Sequence, residues 1–173
     1  PVGVCVVEDP SSAVWEDELL VEKMRQAQAE HPWLVLCRGD ITQPSTYDPP
    51  LNAQPLCLVN PCNKRFNEKG GLVNTRVHAA AGNALKKLAQ EAYGIALTAE
   101  CYAVDVPVDS ELHLRGFAQV FMVLCPNANP SRADCLPAEE AAALTAQTYR
   151  NIVAQLKQYT DSKHALPFEL AME

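Results

Sequence analysis

Polar residues follow two short apolar runs of the chain, and their types suit the binding of a phosphorylated ligand. Asp40 comes after the apolar run 34–37, and Asn63 comes after the run 56–59. A glycine pair, Gly70-Gly71, then precedes a long helical pattern. Glycine permits the close backbone approach that a phosphate needs, and N–H groups at a helix N-terminus attract anions. This stretch is therefore where we expect a nucleotide-type site.

The elements that must position these residues are strands and helices in alternation. Apolar residues at helical spacing predict one helix near the N-terminus, one from Leu72 to Gly94, and one from Pro137. The most apolar run, 117–124, is predicted to be a central strand that is buried on both faces. Such alternation predicts an α/β fold with a mainly parallel sheet and helices on both faces. The predicted strands are 2–7, 34–37, 56–59, 101–108, 117–124 and 165–170.

Length and composition predict a single domain over residues 1–173. Hydrophobic residues make up 48% of the chain, which is enough to close a core of this size. No apolar run approaches the roughly 18 residues that cross a bilayer, so we predict no membrane partner. The chain begins with Pro1 and not with Met, and we expect it to be a piece of a longer protein.

Charge and cysteine usage narrow the class of partner and the compartment. The net charge of −7, from 14 basic and 21 acidic residues, disfavours nucleic acid as a partner. The seven cysteines show no Cys-x-x-Cys pair and the four histidines are isolated, so no metal site and no cofactor is predicted. Cysteines within apolar runs behave as buried thiols, which predicts a reducing, cytoplasmic location.

Four short motifs follow one another between residues 37 and 82. They are CRGDIT (37–42), LVNPCN (58–63), GGLV (70–73) and HAAAG (78–82). In this order they resemble the macro domain family, the ADP-ribose-binding module, and the NPCN variant is nearest to viral X domains. The resemblance implies a three-layer α/β/α fold with a mixed, mainly parallel central sheet. It also implies a module of a larger, viral replicase polyprotein.

The resemblance implies a role for each residue of the ligand site. Asp40 accepts a hydrogen bond from the adenine amino group, with Ile41 in contact beside it. Asn63 binds the distal ribose and is also the candidate catalytic residue if the ADP-ribosyl bond is hydrolysed. The other implied contacts, to the phosphates and to the adenine-side ribose, come from Gly70, Gly71, Leu72, Val73 and Asn127.

Departures from the family pattern bear on the activity. Leu72 stands where the family has a third glycine, and Asn74 stands where one hydrolase branch has an aspartate, so it cannot act as a base. The residues of the family's second phosphate loop do not follow the predicted strand 165–170, so either the sequence stops before that loop or the protein lacks it. By contrast, residues 1–31 resemble the strand and helix that close the family fold, so we also consider that they are a rearranged part of it.

Three hypotheses follow from these observations. The first is binding of ADP-ribose, free or as mono-ADP-ribosylated protein. The second is hydrolysis of the ADP-ribosyl bond. The alternative is a macro-like interaction module that has lost ADP-ribose and binds RNA or a protein partner. Each residue also has a structural reading: Asp40 caps a turn, Asn60 ties down a strand end, and His78 packs on a helix flank.

Overall fold

The computed structural model describes residues 4–8, 17–31, 34–50 and 55–164, and the chain divides into two compact units, Pro1–Gln54 and Pro55–Glu173. That residues 1–173 form a single domain stays a prediction. The predicted strand 165–170 lies outside the described residues.

The first unit contains a strand, a helix and a second strand, as the sequence predicts. Strand β1 (Val4–Glu8) pairs in parallel with β2 (Leu34–Arg38), and helix α1 (Glu18–Glu30) lies between them in the chain. Leu19, which helical spacing places on the inner face, is 68% exposed instead. After β2 the chain passes through a short 3-10 turn, Pro44–Thr46.

The second unit contains a three-stranded sheet with the order β3-β5-β4. Strand β3 (Leu56–Pro61) runs parallel to β5 (Phe117–Val123), and β4 (Cys101–Asp105) runs antiparallel to β5. The prediction that the most apolar run is a central strand is confirmed. The strand predicted over 101–108 is shorter, because it ends at Asp105, and the sheet is mixed.

Helices cover both faces of this sheet, because alternate strand residues point to opposite sides. On one face, Phe121 and Val123 pack with Ile152 and Leu156 of helix α5 (Ala138–His164). On the other face, Asn60 of β3 donates a hydrogen bond to Asn74 of helix α2 (Leu72–Ala81). Helix α3 (Asn83–Tyr93) lies on that second face too, where its Tyr93 ring contacts Tyr102 of β4.

The single helix predicted from Leu72 to Gly94 is wrong, because Gly82 divides it into α2 and α3. Gly82 has φ 72°, in the left-handed region that glycine tolerates, and its N–H closes α2 by donating to the His78 carbonyl at 2.9 Å. A short helix, α4 (Glu111–Leu114), was not predicted, and the Ser110 hydroxyl caps it by accepting from the His113 N–H.

We predict that Phe121→Ala lowers the free energy of unfolding by about 3–5 kcal/mol, because this side chain is only 1% exposed and its removal leaves a cavity against α5. Chemical denaturation measures the change. The control is Tyr149→Ala, another aromatic truncation, at a residue that is 66% exposed. The control should change stability by less than about 0.5 kcal/mol. Equal losses in the two variants would contradict this description of the core.

Burial of His78 makes stability depend on pH. This side chain in α2 is 7% exposed, and its Nε2 atom has no hydrogen-bond partner among the described residues. Burial lowers the pKa of His78, and the nearby Glu68 carboxylate opposes that change only in part. The unfolded chain therefore binds this proton more readily than the folded chain.

Stability should consequently fall as the pH drops below the ordinary histidine value of about 6.5, and be fully present above it. We predict that His78→Gln removes part of this loss, so the variant weakens less than the wild type between about pH 7.5 and about pH 5.5. Denaturation curves at the two pH values provide the measurement. His113→Gln, at an exposed histidine, is the control and should follow the wild type. Parallel pH profiles for His78→Gln and the wild type would rule out the effect.

Candidate functional site

A cavity of about 800 Å³ opens in the second unit at the carboxyl ends of β3 and β5. These two parallel strands end side by side, since Pro61 pairs with Val123 and the Cys62 N–H donates to the Val123 carbonyl at 2.8 Å. Ligands of α/β proteins bind at this edge of a sheet. Two loops supply most of the lining, residues 63–70 after β3 and residues 124–136 after β5.

Asn63 shapes the first of these loops. Its side-chain Nδ2 donates to the side-chain oxygen of Asn67 at 2.7 Å, to the Asn67 carbonyl at 2.9 Å, and to the Lys69 carbonyl. Its Oδ1 accepts from the backbone N–H groups of Arg65, at 3.0 Å, and Asn67, at 3.3 Å. An amide nitrogen has two hydrogens, so both are engaged within the loop. Asn63 lines the cavity, as expected, and it also ties the loop together.

Asn74, a buried residue of α2, binds the same loop from the side of the helix. It is 1% exposed, and its Nδ2 donates to the Asn67 carbonyl at 2.7 Å and to the Lys69 carbonyl at 2.9 Å. Its Oδ1 accepts from Nδ2 of Asn60, at 2.8 Å. The sequence offered no signal for this arrangement beyond the presence of several asparagines.

The glycine pair connects this loop to α2. Gly70 has φ 113° and Gly71 has φ 140°, both outside the range that other residues adopt easily. Gly70 lines the cavity, and Gly71 is the N-cap of α2. Leu72, the first residue of α2, is 62% exposed, and Val73 is half-buried. Gly71, Leu72 and Val73 do not line the cavity, and their contact with a ligand stays a prediction.

Asn127 organises the second loop. Its Nδ2 donates to Oδ1 of Asp134 at 2.7 Å, and its Oδ1 accepts from the Asn129 N–H at 3.0 Å. Its carbonyl accepts from the Leu136 N–H at 2.8 Å, which brings the two ends of the loop together. The Asn127 hydrogen bond, together with Arg132, lowers the pKa of Asp134, so this carboxylate is ionised at neutral pH.

Basic side chains outnumber acidic ones in the lining of the cavity, although the whole chain is acidic. Four basic residues and one acidic residue line it. The acid, Asp134, is already engaged by Arg132 at 3.4 Å. An anionic ligand therefore meets an attractive local field. From the sequence, three of the basic residues could either attract an anionic ligand or be solvated loop charges, and nothing there pointed to Arg132. The basic residues are Lys64, Arg65, Lys69 and Arg132.

Thiols near the cavity are held protonated. Burial raises the pKa of Cys62 to about 12, and burial also raises the pKa of Cys125, which lines the cavity. Because only the thiolate is a strong nucleophile, neither residue supplies one at neutral pH. In the described part of the chain, no cluster of three or more metal-binding side chains is present.

Asp40 and Ile41 belong to the first unit. The Asp40 carboxylate accepts from the N–H of Thr42 at 2.9 Å and from its hydroxyl at 2.8 Å, which closes a turn. The Ile41 carbonyl accepts from the Tyr47 hydroxyl at 2.7 Å. The Asp40 side chain is half-buried. That Asp40 and Asn63 face one common ligand stays a prediction.

No protein-family model matches the sequence, and no curated protein matches it significantly. Solved structures do match. The Oryza sativa APL macrodomain in complex with ADP-ribose has a TM-score of 0.74 at 26% identity, covering 88% of this chain and 75% of that chain.

Two further structures share the architecture at lower identity. An ADP-ribose binding macrodomain of Dictyostelium discoideum has a TM-score of 0.64 at 16% identity, with 87% of this chain and 70% of that chain covered. A mutant Oceanobacillus iheyensis macrodomain with ADPR has a TM-score of 0.53 at 22% identity, with 70% and 57% covered. These three say nothing about a viral origin, which stays a prediction. The resemblance to the macro domain family is confirmed, and the chain has the macrodomain fold.

Proposed function

We propose that this domain binds ADP-ribose, free or as the mono-ADP-ribosyl group of a modified protein. The observation that carries the proposal is the cavity at the ends of β3 and β5, which Gly70 lines shortly before α2 begins. Its volume of about 800 Å³ lies in the range of small-molecule sites. The ADP-ribose present in the similar Oryza sativa structure supports the same ligand.

The proposed contacts follow from the chemistry of the lining. A diphosphate carries negative charge, which suits Lys69 and Arg132 as well as the N-terminal end of α2. Ribose hydroxyls both donate and accept, which suits the amide of Asn127. Asn63 would bind the distal ribose by exchanging one of its hydrogen bonds within the loop. The adenine amino group needs an acceptor, and the resemblance to the macro domain family, not the lining, assigns that role to Asp40.

Hydrolysis of the ADP-ribosyl bond is a separate proposal, in which Asn63 positions the distal ribose and a substrate phosphate helps to activate water. The position at which one hydrolase branch has an acid holds Asn74, whose amide cannot take up a proton at neutral pH. The thiols beside the cavity are protonated as well. Binding without turnover is therefore the function that these groups support best.

The wider setting of the domain also remains a set of proposals. A place within a viral replicase polyprotein rests on the NPCN motif, and a cytoplasmic location rests on the cysteine usage. Within the described residues, no helix is both long and apolar enough to cross a membrane. The alternative is an interaction module that has lost ADP-ribose binding and binds RNA or a protein partner.

Isothermal titration should show that the wild type binds ADP-ribose, and that Asp40→Asn weakens binding by about 10-fold or more, because a charged acceptor contributes roughly 1.5–3 kcal/mol to a hydrogen bond. The amide keeps an oxygen for the turn with Thr42 and removes the charge. Asp48→Asn, at an exposed acid of the same unit, is the matched control and should bind like the wild type. The absence of heat with millimolar ADP-ribose, together with a salt-sensitive shift of RNA, would select the interaction module instead.

A protein carrying mono-ADP-ribose should be retained by the domain and stay modified during incubation, because Asn74 cannot act as a general base and burial keeps the Cys62 thiol protonated. Release of ADP-ribose can be followed by chromatography, with Asn63→Ala as the second sample. Release by the wild type that is lost in Asn63→Ala would establish hydrolysis and contradict binding without turnover.

A further inference from the structure

Both side-chain hydrogens of Asn74 are donated to the loop that borders the cavity. The two hydrogens of its Nδ2 match two carbonyl oxygens, those of Asn67 at 2.7 Å and Lys69 at 2.9 Å. The side chain is 1% exposed, so water does not replace these partners. Loss of either bond would leave a buried polar atom unsatisfied, which is costly.

Asn60 fixes which way the Asn74 amide faces. The Asn60 side chain is fully buried, and its Nδ2 donates to Oδ1 of Asn74 at 2.8 Å. With the oxygen of Asn74 committed to β3, its nitrogen must face the loop. The orientation is therefore set by the hydrogen bonds on both sides of the amide.

The bond to Lys69 has a consequence for Gly70. The carbonyl of Lys69 and the N–H of Gly70 belong to one peptide group, which is planar and trans, so they point in opposite directions. Asn63 also donates to this carbonyl, and Asn74 is the buried partner that draws it towards α2. Holding the carbonyl towards the buried amide turns the Gly70 N–H away from Asn74. Gly70 lines the cavity, and its φ of 113° keeps this peptide in a conformation that few other residues adopt.

A carboxylate would not reproduce this arrangement. In Asn74→Asp, an oxygen replaces the nitrogen at 2.7 Å and 2.9 Å from two carbonyl oxygens, in a site shielded from water. The ionised acid has no hydrogen to donate, and its charge faces two negative ends of dipoles. The substitution is nearly isosteric, yet it inverts the electrostatics of the site.

We propose that Asn74 is the positioning residue for the Gly70 N–H, and that the loop requires a neutral amide at this position to present that donor to the ligand. The effect on ligand affinity rests on the proposed function. The effect on the conformation of the loop does not.

The test compares Asn74→Asp and Asn74→Ala with the wild type by two measurements. Isothermal titration gives the affinity for ADP-ribose, and the ¹H–¹⁵N NMR signal and hydrogen exchange of Gly70 report the loop without any ligand. We expect affinity to fall roughly 10-fold in Asn74→Ala, which loses the donors, and further in Asn74→Asp, which adds repulsion. The Gly70 signal should move in both variants, while the signal of Gly94, at the end of α3, stays in place.

Asn83→Asp is the matched control, because it makes the same chemical change at an exposed residue at the start of α3. It should leave affinity and the Gly70 signal unchanged. A purely structural role for Asn74 would lower thermal stability and leave the Gly70 signal where it is, which would overturn the proposal.

Wild-type affinity in either folded Asn74 variant would overturn it too, and Asn74→Ala decides the matter if Asn74→Asp does not fold. If the wild type itself binds no ADP-ribose, the proposed function fails, and the Gly70 signal still decides whether Asn74 positions the loop.

Discussion

The geometry of the candidate site depends on hydrogen bonds to two backbone carbonyl oxygens, those of Asn67 and Lys69. Amides from two directions hold them, Asn63 from the end of β3 and Asn74 from α2. Asn60 then joins α2 to β3 beneath the loop. These hydrogen bonds fix the conformation of the polar loop between β3 and α2. Without these bonds, a loop containing two adjacent glycines would have many conformations of similar free energy.

The electrostatics of the cavity arise locally and not from the chain as a whole. The net charge of the whole chain is −7, whereas the loops that line the cavity carry four basic side chains. Neutral amides supply most of the short hydrogen bonds inside those loops. Charge is thus available to attract an anion, while uncharged groups maintain the geometry. The arrangement combines attraction with a conformation that changes little with pH near neutrality.

The sequence predicted the strands well, because a buried strand depends on a local run of apolar residues. The central position of β5 followed from residues 117–124 alone. The break at Gly82 was not predicted, since the apolar spacing of Val77 and Leu85 continues through it and glycine is tolerated within helices. Helix α4 was missed because four residues are too few to show a period.

The site was predicted only in part, because local motifs can be recognised in the sequence and contacts made on folding cannot. Asn63, Gly70 and Asn127 were recognisable from motifs, and they line one cavity. The role of Asn74 depends on side-chain and carbonyl groups that come together only when the chain folds. The spacing of residues along the sequence therefore does not predict it.

Burial of the thiols beside β3 and β5 lowers their reactivity towards oxidants and electrophiles. Peroxides and alkylating electrophiles react with thiolates, and the pKa values of Cys62 and Cys101 are raised to about 12. At these positions such reagents meet almost no reactive sulfur. Oxidants and alkylating reagents would therefore modify thiols of ordinary pKa before they modified Cys62 or Cys101.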